Sequence, residues 1–254
     1  MLLTIERIAK NFGGLAALSD ISFGIEPGQI FGLIGPNGAG KTTLFNCLTG
    51  VYKPSAGRFT FEDADITGIS EPKVAQRGIA RTFQNIRLFK EMTVLENVMV
   101  GRHCRTASRL WGAITRNRKT RDEEREIRTK AAELLAFVEL SGPEDHLAKN
   151  LPYGHQRRLE IARALATEPS LLCLDEPAAG MNPQEAGELM AMIRRIRDRG
   201  VTVLLIEHHM RVVMGICDRV AVLDGGRLVT AGPPDDVRGD PRVIEAYLGK
   251  APAC

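Results

Sequence analysis

The run Gly35-Pro36-Asn37-Gly38-Ala39-Gly40-Lys41-Thr42 constrains this chain more than any other stretch. It fits GxxxxGK[ST] and lies between a short apolar run, Ile30–Ile34, that reads as a strand and a run, Lys41–Gly50, that reads as a helix closed by glycine. Phosphates concentrate negative charge. A glycine-rich loop can turn its backbone N–H groups inward where side chains would block approach, and the helix N-terminus that follows favours anions. Lys41 is expected at the β- and γ-phosphates of a nucleoside triphosphate and Thr42 at a Mg²⁺ ion that bridges phosphate oxygens. Thr43 completes the expected phosphate-contacting set. A glycine-rich turn that binds nothing would not need this order of strand, loop, lysine, hydroxyl and helix.

Strands and helices take turns along the rest of the chain. Leu3–Ile8 and Ile21–Ile25 read as hairpin-like strands, and Pro27-Gly28 turns the second towards Ile30–Ile34. Leu171–Leu174 and Val201–Ile206 are continuous apolar runs, the pattern of parallel strands buried on both faces. Asn182-Pro183 with Glu185 makes a helix start, with an Asn cap, Pro in the first turn and Glu at the third position, and the helix should run to about Arg199. The fold class is therefore α/β. At 254 residues, 44% of them hydrophobic, the chain can bury one sizeable core.

The run Leu171–Leu174 ends on Asp175-Glu176. Open parallel sheets bind ligands at the carboxyl ends of their strands, so both carboxylates fall where a ligand would sit. Asp175 suits Mg²⁺ through ordered water, and Glu176, one residue further out, suits polarisation of the water that attacks the γ-phosphorus. An acidic pair after a strand is by itself a solvated turn more often than a site; the phosphate loop upstream changes that reading.

Composition excludes several classes. The 34 basic and 31 acidic residues nearly cancel, leaving +3, which points neither to a nucleic-acid binder nor to an acidic tail. The five cysteines, Cys47, Cys104, Cys173, Cys217 and Cys254, are scattered without a CxxC pair, so a disulfide framework and a zinc site are both disfavoured and a reducing compartment fits. Met1–Lys10 has no signal-like apolar segment, and no run approaches the ~20 residues of a membrane span.

Between the two phosphate-site motifs, Leu151-Pro152-Tyr153-Gly154-His155-Gln156-Arg157-Arg158 resembles the signature, usually spelled LSGGQ, that separates ABC ATPases from other P-loop proteins. The resemblance covers essentially the whole chain. Within the family it is most similar to the larger ATPase subunit of branched-chain amino-acid importers, through Arg81-Thr82-Phe83-Gln84, Tyr153–Arg163, Ala178–Pro183 and Ala246-Tyr247-Leu248-Gly249. It implies an ABC ATPase fold: a P-loop core with a parallel sheet, an antiparallel β layer and a helical lobe. The core lobe would span about residues 1–89 and 161–254 and the helical lobe about 90–160. ATP and Mg²⁺ are the implied ligands, with Thr42, Gln84 and Asp175 on the metal side.

The resemblance also assigns roles. Phe12 falls where the family stacks an aromatic ring on adenine, although a Phe near a strand end serves equally as core. Gln84 matches the glutamine that reaches Mg²⁺ and the attacking water, on a loop that senses the membrane subunits. His208 resembles the histidine that contacts the γ-phosphate, while the adjacent His209 has no family role, and Ala179–Asn182 corresponds to a loop that crosses the dimer interface. In the family, the signature of one subunit closes over ATP held by the other. Here Pro152 replaces the serine and Tyr153 the first glycine, which leaves Gly154 and the following helix N-terminus to meet the anion.

The implied partners are a second ATPase subunit of a different sequence, transmembrane permease subunits and a periplasmic or extracellular substrate-binding protein, with the chain peripheral on the cytoplasmic membrane face. Urea, short amides and lipopolysaccharide stay open as cargo beside branched-chain amino acids. An ABC ATPase acting on ribosomes or DNA is disfavoured, because such relatives carry tandem cassettes or a long coiled-coil insertion and this chain has one phosphate loop. A regulatory cassette that binds ATP without hydrolysing it is suggested by Pro152 and opposed by Lys41, Glu176 and His208. Residues 102–130 hold ten Lys or Arg against four Asp or Glu and read as a mostly helical insertion. Its basic face is either simply solvated or set against anionic lipid, with Leu110, Trp111 and Ile114 as apolar surface.

Overall fold

The computed structural model describes residues 1–102, 118–142, 144–208 and 210–248. Two sheets form its frame. Strands β1 (Leu3–Phe12), β2 (Leu15–Ile25), β4 (Ala56–Phe61) and β5 (Ala64–Asp65) make an antiparallel sheet in the order β2-β1-β4-β5. Strands β3 (Ile30–Ile34), β6 (Ile79–Arg81), β7 (Leu171–Asp175), β8 (Thr202–Ile206), β9 (Arg219–Asp224) and β10 (Arg227–Gly232) make the second, in the order β10-β9-β3-β8-β7-β6, parallel except at β10. The helices are α1 (Lys41–Leu48), α2 (Glu71–Gln76), α3 (Val94–Arg102), α4 (Arg118–Phe137), α5 (Tyr153–Leu165), α6 (Pro183–Asp198), α7 (Met210–Ile216), α8 (Pro234–Gly239) and α9 (Pro241–Leu248).

The second sheet is buried on both faces, and the period-2 alternation of its strands sorts their side chains between two cores. Ile30, Leu172, Leu174, Val203, Leu205 and Val222 point to one core, shared with Val94 and Val98 of α3, Leu135 of α4, Leu159 of α5 and Ile193 of α6. Phe31, Leu33, Cys173, Leu204, Ile206 and Leu223 point to the other, shared with Phe45 of α1 and with Ile5, Ile21 and Phe59 of the antiparallel sheet. Because β3, β7 and β8 need apolar cover on both sides, they read as nearly unbroken apolar runs in the sequence.

The first two strands run further than Leu3–Ile8 and Ile21–Ile25. Arg7 and Asp20 adopt positive φ (48° and 55°), and the pairing register shifts between Ile5 and Ile8 and again between Ile8 and Lys10. These bulges break the alternation that marks a strand in sequence, although the hairpin itself is present, with Phe12 opposite Leu15. Pro27-Gly28 carries the chain from one sheet into the other.

Helix α6 starts as the residues dictate. The Asn182 side chain accepts from the Glu185 N–H at 3.0 Å, and the Glu185 carboxylate accepts from the Asn182 N–H at 3.0 Å, with Pro183 in the first turn. Asn182→Ala removes one side of this box and is expected to cost about 1 kcal/mol. Thermal unfolding should shift down by roughly 2–4 °C, and an unchanged midpoint would show the cap to be dispensable.

Of residues 102–130, those from Arg118 onward begin α4; Leu110, Trp111 and Ile114 lie outside the described residues, as do His209 and Gly249. Cys47, Cys173 and Cys217 are free and buried, and burial pushes their thiols up to about 11, 12 and 12, so none is a reactive thiolate near neutral pH. Cys104 and Cys254 lie outside the described residues. Among the described residues no helix is long and apolar enough to cross a membrane.

Candidate functional site

Sheet register decides what meets at the site. Leu33 of β3 lies level with Ile206 of β8, and Ile206 lies level with Asp175 of β7. The phosphate loop, the acidic pair and His208 therefore leave the carboxyl ends of neighbouring strands side by side, and Gln84 follows β6 at the same edge. That edge is where an open parallel sheet places its ligands.

The loop from Gly35 to Gly40 turns tightly under close neighbours. At Gly35, φ is 148° and a Cβ would stand 2.1 Å from the Leu223 carbonyl oxygen; at Gly40, φ is 100° and a Cβ would stand 2.9 Å from the Ala17 carbonyl oxygen. Only glycine fits either place. Lys41 is buried to 7% exposure, and its ammonium donates to the carbonyls of Gly35 (2.7 Å) and Pro36 (3.0 Å). Burial lowers its pKa, and the nearby Glu176 and Asp175 carboxylates partly offset that.

Asp175 is buried, and its Oδ2 accepts from Arg81 Nη2 at 3.0 Å. Burial raises the Asp175 pKa and Arg81 pulls it back. Arg81 is itself held by Asn46 Oδ1 (2.6 Å) and Thr49 Oγ1 (3.0 Å), at the end of α1. One guanidinium thus ties the helix behind the phosphate loop to the acidic strand end. Arg81, Asn46 and Thr49 had no role in the sequence reading; the signal for Arg81 was its place three residues before Gln84 at the end of a short strand.

Glu176 has an unusual backbone for a non-glycine residue, φ 47°, and its N–H donates to the Ile206 carbonyl at 3.0 Å. Its carboxylate is thereby presented to the cleft. Oε2 accepts from Gln84 Nε2 at 2.9 Å, and Oε1 lies 3.7 Å from His208 Nδ1. These three expected residues are thus brought together.

A cleft of about 820 Å³ is lined by Phe12, Leu15 to Ala17, Asn37 to Thr43, Gln84, Glu176 and the Gly225-Gly226 turn. Phe12 is 42% exposed, so it is not core; its ring meets Tyr52 edge-on at 5.3 Å, and Lys10 Nζ lies 4.8 Å from its centroid. Gly225 and Gly226 were missed, although Asp224-Gly225-Gly226-Arg227 between two apolar runs is a hairpin signal. Both adopt positive φ, and Gly226 donates its N–H to the Ala39 carbonyl at 3.2 Å, which braces the phosphate loop from below.

Residues 18–179 match the ABC transporter family, and residues 227–253 match a second family described as branched-chain amino acid ATP-binding cassette transporter. The chain belongs to the ABC transporter ATPase family. The cassette is 45% identical over 98% of both chains to the high-affinity branched-chain amino acid transport ATP-binding protein LivG of Escherichia coli K12. It is equally similar, 45% over 98% of both chains, to BraF of Pseudomonas aeruginosa, which carries the same description. In fold it matches the ADP conformation of an ATP-binding cassette of an ABC transporter, with TM-score 0.85 and 36% identity over 98% of this chain and 99% of that one. The cassette is thus an ATP-binding and ATP-hydrolysing subunit.

Gly154 stands apart from the cleft, in the first turn of α5, which opens at Pro152 and Tyr153. Tyr153, at the first-glycine position, is half-exposed. The phenol lies 3.4 Å from Arg157 Nη2, and the ring sits beside Gly180 of the Ala179–Asn182 loop. Tyr247 of α9 is a further unassigned neighbour: burial raises its pKa, and the Gly35 N–H facing its hydroxyl opposes that.

Proposed function

We propose that this cassette powers uptake of branched-chain or related hydrophobic amino acids, bound at the cytoplasmic membrane face to permease subunits that a substrate-binding protein supplies. The observation that carries the cargo is the 45% identity over 98% of both chains with proteins of that transport role. The match of residues 227–253 to the branched-chain cassette family supports it from a second segment. An uptake assay with labelled leucine in cells lacking this chain tests it. Complementation by the parent but not by Glu176→Gln is expected, and restored uptake of urea alone would redirect the cargo.

In this reading the whole chain acts as one nucleotide-binding domain, with a core lobe and a helical lobe meeting near residues 90 and 160. Lys41 and the N–H groups of Asn37 to Thr43 hold the phosphates, Phe12 faces adenine, Glu176 is the general base, and Gln84 and His208 orient the water and the γ-phosphate. Thr42, Asp175 and Gln84 offer hydroxyl, carboxylate and amide oxygens, a hard donor set that suits Mg²⁺ in company with phosphate oxygens. When bound there, the ion would supply charge neutralisation for the departing phosphoryl group. A groove of about 530 Å³ beside the Gln84 loop, apolar at Phe83, Leu88, Phe89 and Val100 and charged at Arg87 and Glu71, is where a permease segment would press on that loop.

The cassette acts head-to-tail with a second ATPase subunit whose signature keeps the serine. A homodimer would close both ATP sites against Pro152 and Tyr153, each lacking a hydroxyl hydrogen bond to a charged phosphate worth about 1.5–3 kcal/mol. Paired with a serine-bearing chain, the ATP held by Lys41 meets a complete signature. Hydrolysis by the mixture should therefore exceed that of this chain alone by roughly tenfold to a hundredfold. Disabling Glu176 in the mixture should also cost more than disabling the partner's glutamate. Equal rates alone and mixed, or the reverse order of losses, would remove the asymmetry.

A further inference from the structure

Helix α5 grips the loop that carries Gln84. Arg157 is 0% and Glu160 1% exposed, and they pair at 2.8 Å. Arg157 Nη1 donates to the Phe83 carbonyl at 2.7 Å and Nη2 to the Gln84 carbonyl at 2.9 Å. Glu160 Oε1 accepts from the N–H groups of Phe83 (3.3 Å) and Arg87 (3.2 Å), and Arg163 donates to the Arg87 carbonyl. The segment so held has no helix or strand of its own between β6 and α3. From Phe83 to Arg87 its backbone is held by side chains of α5.

A buried ion pair is a weak source of stability, since the desolvation of two charges can match their attraction, and apolar residues of similar volume often serve as well. What the pair supplies is placement. The planar guanidinium carries its donors in a fixed fork, so one group fixes two successive carbonyls together. The second of those carbonyls belongs to Gln84, whose side-chain amide meets Glu176 at 2.9 Å. We infer that Arg157, backed by Glu160, is a positioning residue for ATP hydrolysis: it holds the Phe83 and Gln84 carbonyls so that the Gln84 amide stays against Glu176. Arg157 touches neither the phosphate loop nor the cleft. Its loss should therefore reach the rate without reaching ATP binding.

The test is a double-mutant cycle between Arg157 and Gln84 on the full chain, read as the single-turnover hydrolysis rate per ATP bound, which does not depend on the fraction folded. Arg157→Met is made together with Glu160→Gln, so that no carboxylate is left buried and unpaired. The single-turnover rate should fall between about tenfold and a hundredfold, the scale for a reacting group displaced by about 1 Å, while the Kd for ATP changes less than about threefold on the same reasoning. In a Gln84→Ala background the same pair should cost less than about twofold, because the residue being positioned is already gone. Arg157→Lys, which keeps the charge beside Glu160 and loses the fork, should fold and still lose rate. Three outcomes overturn the inference: an equal loss in both backgrounds, a loss expressed in Kd rather than rate, or an Arg157→Lys rate within twofold of the parent.

Discussion

Glu176→Gln is expected to bind ATP as the parent does and to turn over roughly two to four orders of magnitude more slowly, the size of a general-base contribution. Three features of the site concentrate the effect on this one residue. The carboxylate is held over the cleft by a backbone in the left-handed region (φ 47°) and by the Glu176 N–H to Ile206 bond of 3.0 Å, so its direction is fixed by the sheet edge. Gln84 donates to one oxygen at 2.9 Å, and the other faces His208 at 3.7 Å. Glutamine keeps the length and the planar end group but cannot take a proton. Lys41, the residue proposed to carry the phosphate contact, is untouched, so the change should appear in the rate of hydrolysis per bound ATP with the binding constant little altered. A variant that hydrolyses at the parent rate would show that Glu176 is not the base and would leave His208, the imidazole facing it, as the candidate.

What the sequence made legible, and what it did not, divides by the range of the interactions. The phosphate loop, the acidic pair and the α6 start are local: each is a run of residues whose types are demanded by backbone geometry at consecutive positions, as at Gly35 and Gly40, where a Cβ would strike a carbonyl. The two-sided core was legible because a strand covered on both faces has no polar alternation to hide it. The bulged hairpin was only half legible, since positive φ at Arg7 and Asp20 resets the alternation within one strand. The Arg81–Asp175 pair and the grip of Arg157 and Glu160 on the Gln84 loop join residues more than seventy positions apart, and no local pattern announces them. Their residue types could be quoted as part of a motif, but their purpose needed the sheet order β8-β7-β6 that sets α5 beside the loop after β6. Tyr153 shows the same limit. In sequence it is a lost glycine, and in the structure it is a ring between Arg157 and Gly180.

Lys41→Ala should weaken ATP binding by at least about a hundredfold, the equivalent of about 2.8 kcal/mol, because it removes charge-assisted hydrogen bonds worth about 1.5–3 kcal/mol apiece. The ammonium already lies within the loop, held on the Gly35 and Pro36 carbonyls. The direction of its pKa adds a second signature. Burial lowers the Lys41 pKa in the protein without nucleotide, against the opposing pull of Glu176 and Asp175, whereas bound phosphates favour the charged form and raise it. Between the lowered value and the raised one, the bound state holds more protons than the free state. ATP binding in that window takes up a proton, and affinity falls as pH rises through it, by the same linkage that makes stability depend on pH. Lys41→Arg keeps the charge at every accessible pH and should flatten the dependence, even if the larger planar group fits the loop poorly. Titrations of the parent and both variants across alkaline pH separate these effects. Undiminished affinity in Lys41→Ala would refute the phosphate contact, whereas an alkaline loss of affinity that persists in Lys41→Arg would assign the titration to another group.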